Sequence, residues 1–236
     1  MDGNGRWAEG QGLPRREGHL AGVVTVKNIV KACIEKQIRV LSLWAFGQDN
    51  WSRPTDEVEF LMGLFIQSLA REVESLHQHG VCLRFTGNKQ QLAPPLQEAM
   101  FRAESLTGSN QTLILNIVMN YGGKWDILQA VQQLSRQIAT GELMPEDIDE
   151  SLFSSYLSMA DLPDPDLFIR TSGEQRISNF FLWQLSYTEL FFSSVCWPDF
   201  TVQELNKALL SFQQRERRYG KISAQLKAAD EENPHV

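Results

Sequence analysis

"TLILNIVMN", residues 112–120, is the stretch on which the fold turns. It is a short apolar run, and it reads as a buried strand rather than a helix. Working outward, residues 94–106 read as a helix before it, and Trp125 to Ala139 as a helix after it. The next strand on the N-terminal side is "VCLRFTG" (81–87). Before it lies "SRPTDEVEFLMGLFIQSLAREVESLHQHG" (52–80), a long helix. Pro54 and acidic residues mark its start, Gly80 its stop, and Val58, Leu61, Phe65, Leu69, Val73 and Leu76 its apolar stripe. "RVLSLWAF" (39–46) is a further strand. It is preceded by helical spacing over 19–37, carried by Val23, Val26, Ile29, Val30, Cys33 and Ile34. On the C-terminal side a short helical stretch is predicted at 145–160 and a strand at "DLFIRTSG" (166–173). A short helix follows at "NFFLWQLSY" (179–187), a last strand at "ELFFSSVCW" (189–197), and a helix over 201–219 ending in "RERRYG".

Apolar strands alternating with helices imply a mainly parallel sheet flanked by helices on both faces. The reading is a single α/β domain over residues 1–220, followed by a polar, frayed tail at 221–236. Net charge is −7, from 22 basic and 29 acidic residues, which speaks against nucleic-acid binding. The three cysteines, Cys33, Cys82 and Cys196, are far apart and match neither a disulfide framework nor a zinc site. They fit a reducing, cytoplasmic setting. No run is long and apolar enough to span a membrane, and the N-terminus has no secretory h-region.

Ligands on parallel sheets bind at the carboxyl ends of the strands. Those ends hold "MDGNGRW", "GQDNWSRP" and "TSGEQRISN". "DGNGRW" offers the Asp2 carboxylate, flexible backbone N–H groups and the Arg6 guanidinium. Arg170, Arg176 and the Ser178 hydroxyl, with Arg15, His19 and Arg53, complete a concentrated anion site in an acidic chain. Asp2 and Glu189 are candidates to hold Mg²⁺ against phosphate oxygens. The plainer readings stay open. Asp-Gly-Asn-Gly is commonly just a turn, and it matches neither an EF-hand nor a P-loop. The arginines could equally form surface ion pairs. His77 and His79 suit a solvated helix end, and "RERRYG" a helix C-terminus or an oligomer contact. The residues alone reach a phosphate-binding, Mg²⁺-dependent α/β enzyme.

In order, "MDGNGRW", Gly18-His19, "LWAFGQDNWSRP", "NYGGKWDI", "DLFIRTSGEQRISNFFLWQ" and "YTELFFSSVCWPDF" resemble the cis-prenyltransferases from Met1 to about Gly220. The resemblance implies an elongated apolar tunnel, a homodimer, and condensation of isopentenyl diphosphate onto farnesyl diphosphate. The product would be a long-chain cis-polyprenyl diphosphate for the cell-wall carrier lipid, released with peripheral membrane contact. It implies Mg²⁺ on Asp2 and Glu189, and a starter diphosphate on Gly3, Asn4, Gly5, Arg6, Trp7, Arg15 and His19. Arg170, Arg176, Ile177 and Ser178 would take the extender, and a closing loop would carry Gly47, Gln48, Asp49, Trp51 and Arg53. Asn50 matches the residue tied to proton removal, although an amide suits positioning better. Leu113 lies where the tunnel floor is expected.

This sequence departs from the family at Gly47, Gln48 and Asp49, where relatives carry two serines and a glutamate. The alternative is therefore a catalytically silent subunit, against which Asp2, Arg6, Arg170, Arg176 and Glu189 all remain. A phosphatase lacks an evident nucleophile. Relatives also run an apolar strand straight into the Met-Asp-Gly-Asn-Gly turn. The natural start is therefore expected upstream of Met1, and without that strand Asp2 is expected to lack an anchor.

Overall fold

The computed structural model describes residues 1–215. It opens with the short helix α1 (Asn4–Gly10) and α2 (Arg15–Glu35), then β1 (Val40–Gly47) and α3 (Thr55–Gln78). β2 (Val81–Thr86), α4 (Pro94–Thr107), β3 (Leu113–Tyr121) and α5 (Gly123–Thr140) follow. The described chain closes with α6 (Glu150–Ser155), β4 (Leu167–Arg170), β5 (Glu189–Phe192) and α7 (Val202–Gln213). All ladders are parallel, as expected, and they fall into two groups, β1-β3-β2 and β4-β5.

β3 is the central strand and is buried on both faces. Leu113, Leu115, Ile117 and Met119 enter the larger core with α2, α3 and α4. Val118 faces a second core built from Met159, Phe168, Phe180, Phe181 and Leu185. The alternation slips at Asn120, whose φ of 50° puts Tyr121 in the second core as well.

Four expected elements are shorter or absent. Within 145–160 the helix is reduced to a 3-10 turn, Pro145–Asp147, and the α-helix Glu150–Ser155. The buried Asp126 carboxylate takes the Ser158 N–H at 2.9 Å and its hydroxyl at 2.6 Å, which pulls the chain out of helical geometry. Residues 179–187 form turns, not a helix. Asn179 and Phe181 have φ of 66° and 42°, and such residues break a right-handed helix. The last strand stops at Phe192, where Ser193 Oγ accepts the Val195 N–H and bends the chain. The helix expected over 201–219 runs from Val202 to Gln213. Residues 216–236, including most of "RERRYG" and the expected tail, lie outside the described residues. Among the described residues no helix is long and apolar enough to cross a membrane.

Candidate functional site

Asp2 is firmly anchored, contrary to expectation. Its N–H donates to Thr171 Oγ1 at 2.9 Å. Its carbonyl accepts the Thr171 hydroxyl at 2.8 Å and the Trp197 N–H at 2.9 Å. Gly3 then turns the chain into α1 with φ 97°, and a Cβ there would lie 2.9 Å from both Cys196 Sγ and Ser172 Cβ. Only glycine fits this corner. The Asp2 carboxylate accepts from Gly3 N–H at 2.7 Å, Arg6 at 3.3 Å and Arg170 at 3.1 Å. Partial burial pushes its pKa up. The Arg170 hydrogen bond and charge, Arg6 and the Gly3 N–H outweigh that and hold it below the ordinary value of 3.8.

Arg170, at the carboxyl end of β4, is the hub of one cation cluster. It donates to Ser178 Oγ at 2.7 Å and to the Arg176 carbonyl. Glu174 pairs with Arg176 and, at 3.1 Å, with Arg6. Ile177 packs against the second core and fixes the turn between Arg176 and Ser178.

A second cluster gathers around Glu57, in the first turn of α3. Its carboxylate accepts from Arg15 at 3.2 Å and Arg53 at 3.2 Å, and it faces His19 Nε2 at 3.5 Å. Burial lowers the His19 pKa below 6.5, and the Arg53 and Arg15 charges add to it against the pull of Glu57. The two clusters meet at Gly5. A Cβ on Gly5 would stand 2.5 Å from the Arg15 guanidinium carbon, so the bare backbone lets Arg15 lie against α1.

Between β1 and α3, Gln48–Ser52 form a 3-10 turn. Trp51 pins it by donating its indole N–H to Asn120 Oδ1 at 2.8 Å, with its ring edge-on to Phe46. Asn50 Oδ1 accepts the Gly47 N–H at 2.9 Å. Its remaining hydrogen-bonding end is the NH₂, a donor suited to a phosphate oxygen and unsuited to removing a proton.

Among the described residues, Asn4 Oδ1, Trp7 Nε1 and Ser172 Oγ are buried with no hydrogen-bond partner, and His19 Nε2 has only the Glu57 carboxylate at 3.5 Å. Of these, Ser172 Oγ adjoins the Gly3 corner, and Asn4 Oδ1 faces Gly22 on α2.

The structure does not bring Glu189 to Asp2. Glu189 begins β5, pairs with Arg215, and lies opposite Leu167. That is three residues, about 10 Å, along the ladder from Arg170. Among the described residues no three metal-ligating side chains converge. The Asp2 carboxylate, 38% exposed, is the side chain here that would hold Mg²⁺.

Sequence reasoning missed Glu57, Thr171 and Glu174. Only Glu57 carried a signal, its i,i+4 spacing from Arg53.

A family profile described as "Putative undecaprenyl diphosphate synthase" matches residues 1–220. The ditrans,polycis-undecaprenyl-diphosphate synthase ((2E,6E)-farnesyl-diphosphate specific) of Legionella pneumophila (strain Paris) is 56% identical over 223 residues, 94% of each chain. Its namesake in Xylella fastidiosa (strain Temecula1) is 50% identical over 226 residues, 96% of this chain and 89% of that one. Among solved structures, lavandulyl diphosphate synthase from Lavandula x intermedia, in complex with dimethylallyl diphosphate, superposes with a TM-score of 0.90 at 36% identity. The match covers 94% of this chain and 95% of that one. A probable undecaprenyl diphosphate synthase from Campylobacter jejuni gives 0.76 at 32% identity, covering 85% and 92%.

Proposed function

The chain belongs to the undecaprenyl diphosphate synthase family, and from that membership we propose that it condenses isopentenyl diphosphate onto (2E,6E)-farnesyl diphosphate. The product is a long-chain cis-polyprenyl diphosphate of the undecaprenyl type. The observation that carries the reading is the Asp2 carboxylate held between Arg170 and Arg6.

In this reading Arg170, Arg176 and Ser178 bind the extender diphosphate. Arg15, His19, Arg53 and the backbone of the Gly3–Arg6 turn bind the starter diphosphate. Asp2 would hold Mg²⁺, which when bound offsets the negative charge on the departing diphosphate. Asn50 donates its NH₂ to a phosphate oxygen, and the proton lost after bond formation passes to released diphosphate. Trp51 keeps the 48–52 turn over the site and limits access of water to the cationic allylic carbon. The growing chain runs along α3. There Phe60 to Ile66 are half-buried on every side, which suits a helix lining an apolar path. The proposal extends to a homodimer that meets the membrane peripherally to release so apolar a product.

The silent-subunit alternative is not favoured, because Asp2, Arg6, Arg170 and Arg176 keep their charges and converge. The test is incorporation of labelled isopentenyl diphosphate into butanol-extractable product with farnesyl diphosphate, Mg²⁺ and detergent. Product that requires farnesyl diphosphate and Mg²⁺ is expected. Folded protein that makes none would favour the silent reading.

A further inference from the structure

The segment just after the extender residues holds an unfavourable backbone. Ser178, Asn179 and Phe181 have φ of 48°, 66° and 42°. Asparagine tolerates this left-handed region, whereas serine and phenylalanine do so poorly. The surroundings must therefore impose it. On one side Phe180 stacks on Trp44 at 4.7 Å and Phe181 is fully buried. On the other side Asn179 bonds to the start of α5. Its carbonyl accepts the Gly123 N–H at 2.7 Å and its Oδ1 accepts the Lys124 N–H at 2.8 Å. The N-cap of α5 is Gly122, which has no side chain to offer. Asn179 thus supplies, from a distant segment, the acceptor that a capping side chain would supply.

The chain of contacts continues toward Asp2. Asn179 adjoins Ser178, whose Oγ accepts Arg170 at 2.7 Å, and Arg170 donates to Asp2 at 3.1 Å. Gly122 leaves room for this arrangement. A Cβ there would lie 2.8 Å from Asn179 Nδ2 and 3.3 Å from Gln48 Oε1. The extender turn and the 48–52 turn therefore abut the same glycine.

We propose that Asn179 is a positioning residue for the extender site. It locks Ser178 in its left-handed conformation against the rigid end of α5, and through Ser178 it aims the Arg170 guanidinium. It touches no substrate. The inference rests on the reading of Arg170 and Ser178 as extender-diphosphate ligands.

Losing the Asn179 side chain frees Ser178 to relax and leaves Arg170 with the Arg176 carbonyl as its one remaining neutral acceptor among the described contacts. The starter cluster around Glu57 lies on other elements and is unaffected. The test is steady-state kinetics on the full chain, varying each diphosphate in turn, for Asn179→Ala, Asn179→Gly, Asn179→Asp and Gly122→Ala. Thermal unfolding sets a temperature at which every variant is folded. Asn179→Ala is expected to raise the KM for isopentenyl diphosphate about 10- to 100-fold, with the farnesyl diphosphate KM within about twofold. Asn179→Gly should resemble it, because glycine keeps the backbone but loses the Lys124 bond. Asn179→Asp should restore most of the affinity, since a carboxylate accepts the same N–H and suits a helix N-terminus. If Asn179→Ala does not fold, Gly122→Ala reads the same step by pressing a methyl group onto the Asn179 amide, and the extender KM should rise. An unchanged extender KM in Asn179→Ala or in Gly122→Ala, full activity of Asn179→Gly, or failure of Asn179→Asp to rescue would overturn the proposal. Arg170→Ala and Ser178→Ala separate the two claims. If neither raises the extender KM, the reading of the extender site itself is wrong and this inference falls with it. If both do and Asn179→Ala does not, only the inference fails.

Discussion

Without substrate, the cations of this site are held by the protein's own carboxylates. Asp2 and Glu174 hold Arg6, Arg170 and Arg176, while Glu57 and Glu9 hold Arg15 and Arg53. The Arg6–Asp2 and Arg15–Glu9 pairs are exposed on both sides and therefore weak, so a diphosphate would displace them at small cost. His19 is the exception, since it is buried and its pKa lies below 6.5. A depressed histidine pKa means that the fold favours the neutral ring. The stability it confers is present above pH 6.5 and is lost as pH falls through the lower folded value. Wild type is therefore expected to lose Tm more steeply than His19→Gln on acidification below pH 6.5. Unfolding curves in matched buffers check this, and parallel curves would contradict it. Asp2 and Glu57 are depressed from 3.8 and 4.5, so their contributions fade only at lower pH.

At the scale of elements, Leu113 is 1% exposed at the N-terminal end of β3. Arg170 and the 48–52 turn of the candidate site lie at the carboxyl ends of β4 and β1. Leu113→Ala should therefore cost about 2–5 kcal/mol of stability and shift the product toward longer chains by opening the far end of the apolar path. Thin-layer separation of dephosphorylated products reads this, and an unchanged length would reduce Leu113 to an ordinary core residue. β1, β2, β3 and helices α2 to α5 were legible in the sequence because their apolar periodicity is local. The stretches at 145–160, 179–187 and 189–197 were not. Their shape is set by Asp126 on Ser158, by Asn179 on α5, and by Ser193 on Val195. The first two of these tie together residues far apart in sequence, and none leaves a periodic trace.

Across the whole molecule, a net charge of −7 coexists with two compact cation clusters that meet at the Gly3–Arg6 turn. Asp2, Arg6, Arg170 and Ser178 were legible because they fall at strand ends within blocks that resemble a known family, and the structure gathers them. Of the carboxylates that organise the cations, Glu57 left only its i,i+4 spacing from Arg53 and Glu174 left no signature of its own. Glu189 was a candidate beside Asp2, yet in this chain β5 sets it at the other end of the ladder. The central claim is that the carboxylate at the meeting point of the clusters drives prenyl transfer. Incorporation of labelled isopentenyl diphosphate by wild type and Asp2→Ala, in one assay with saturating farnesyl diphosphate and Mg²⁺, tests it most directly. Wild type should form a long polyprenyl product. Asp2→Ala should stay folded, because the backbone contacts to Thr171 and Trp197 remain, and should turn over several orders of magnitude more slowly. Turnover of Asp2→Ala within a few-fold of wild type would contradict the account.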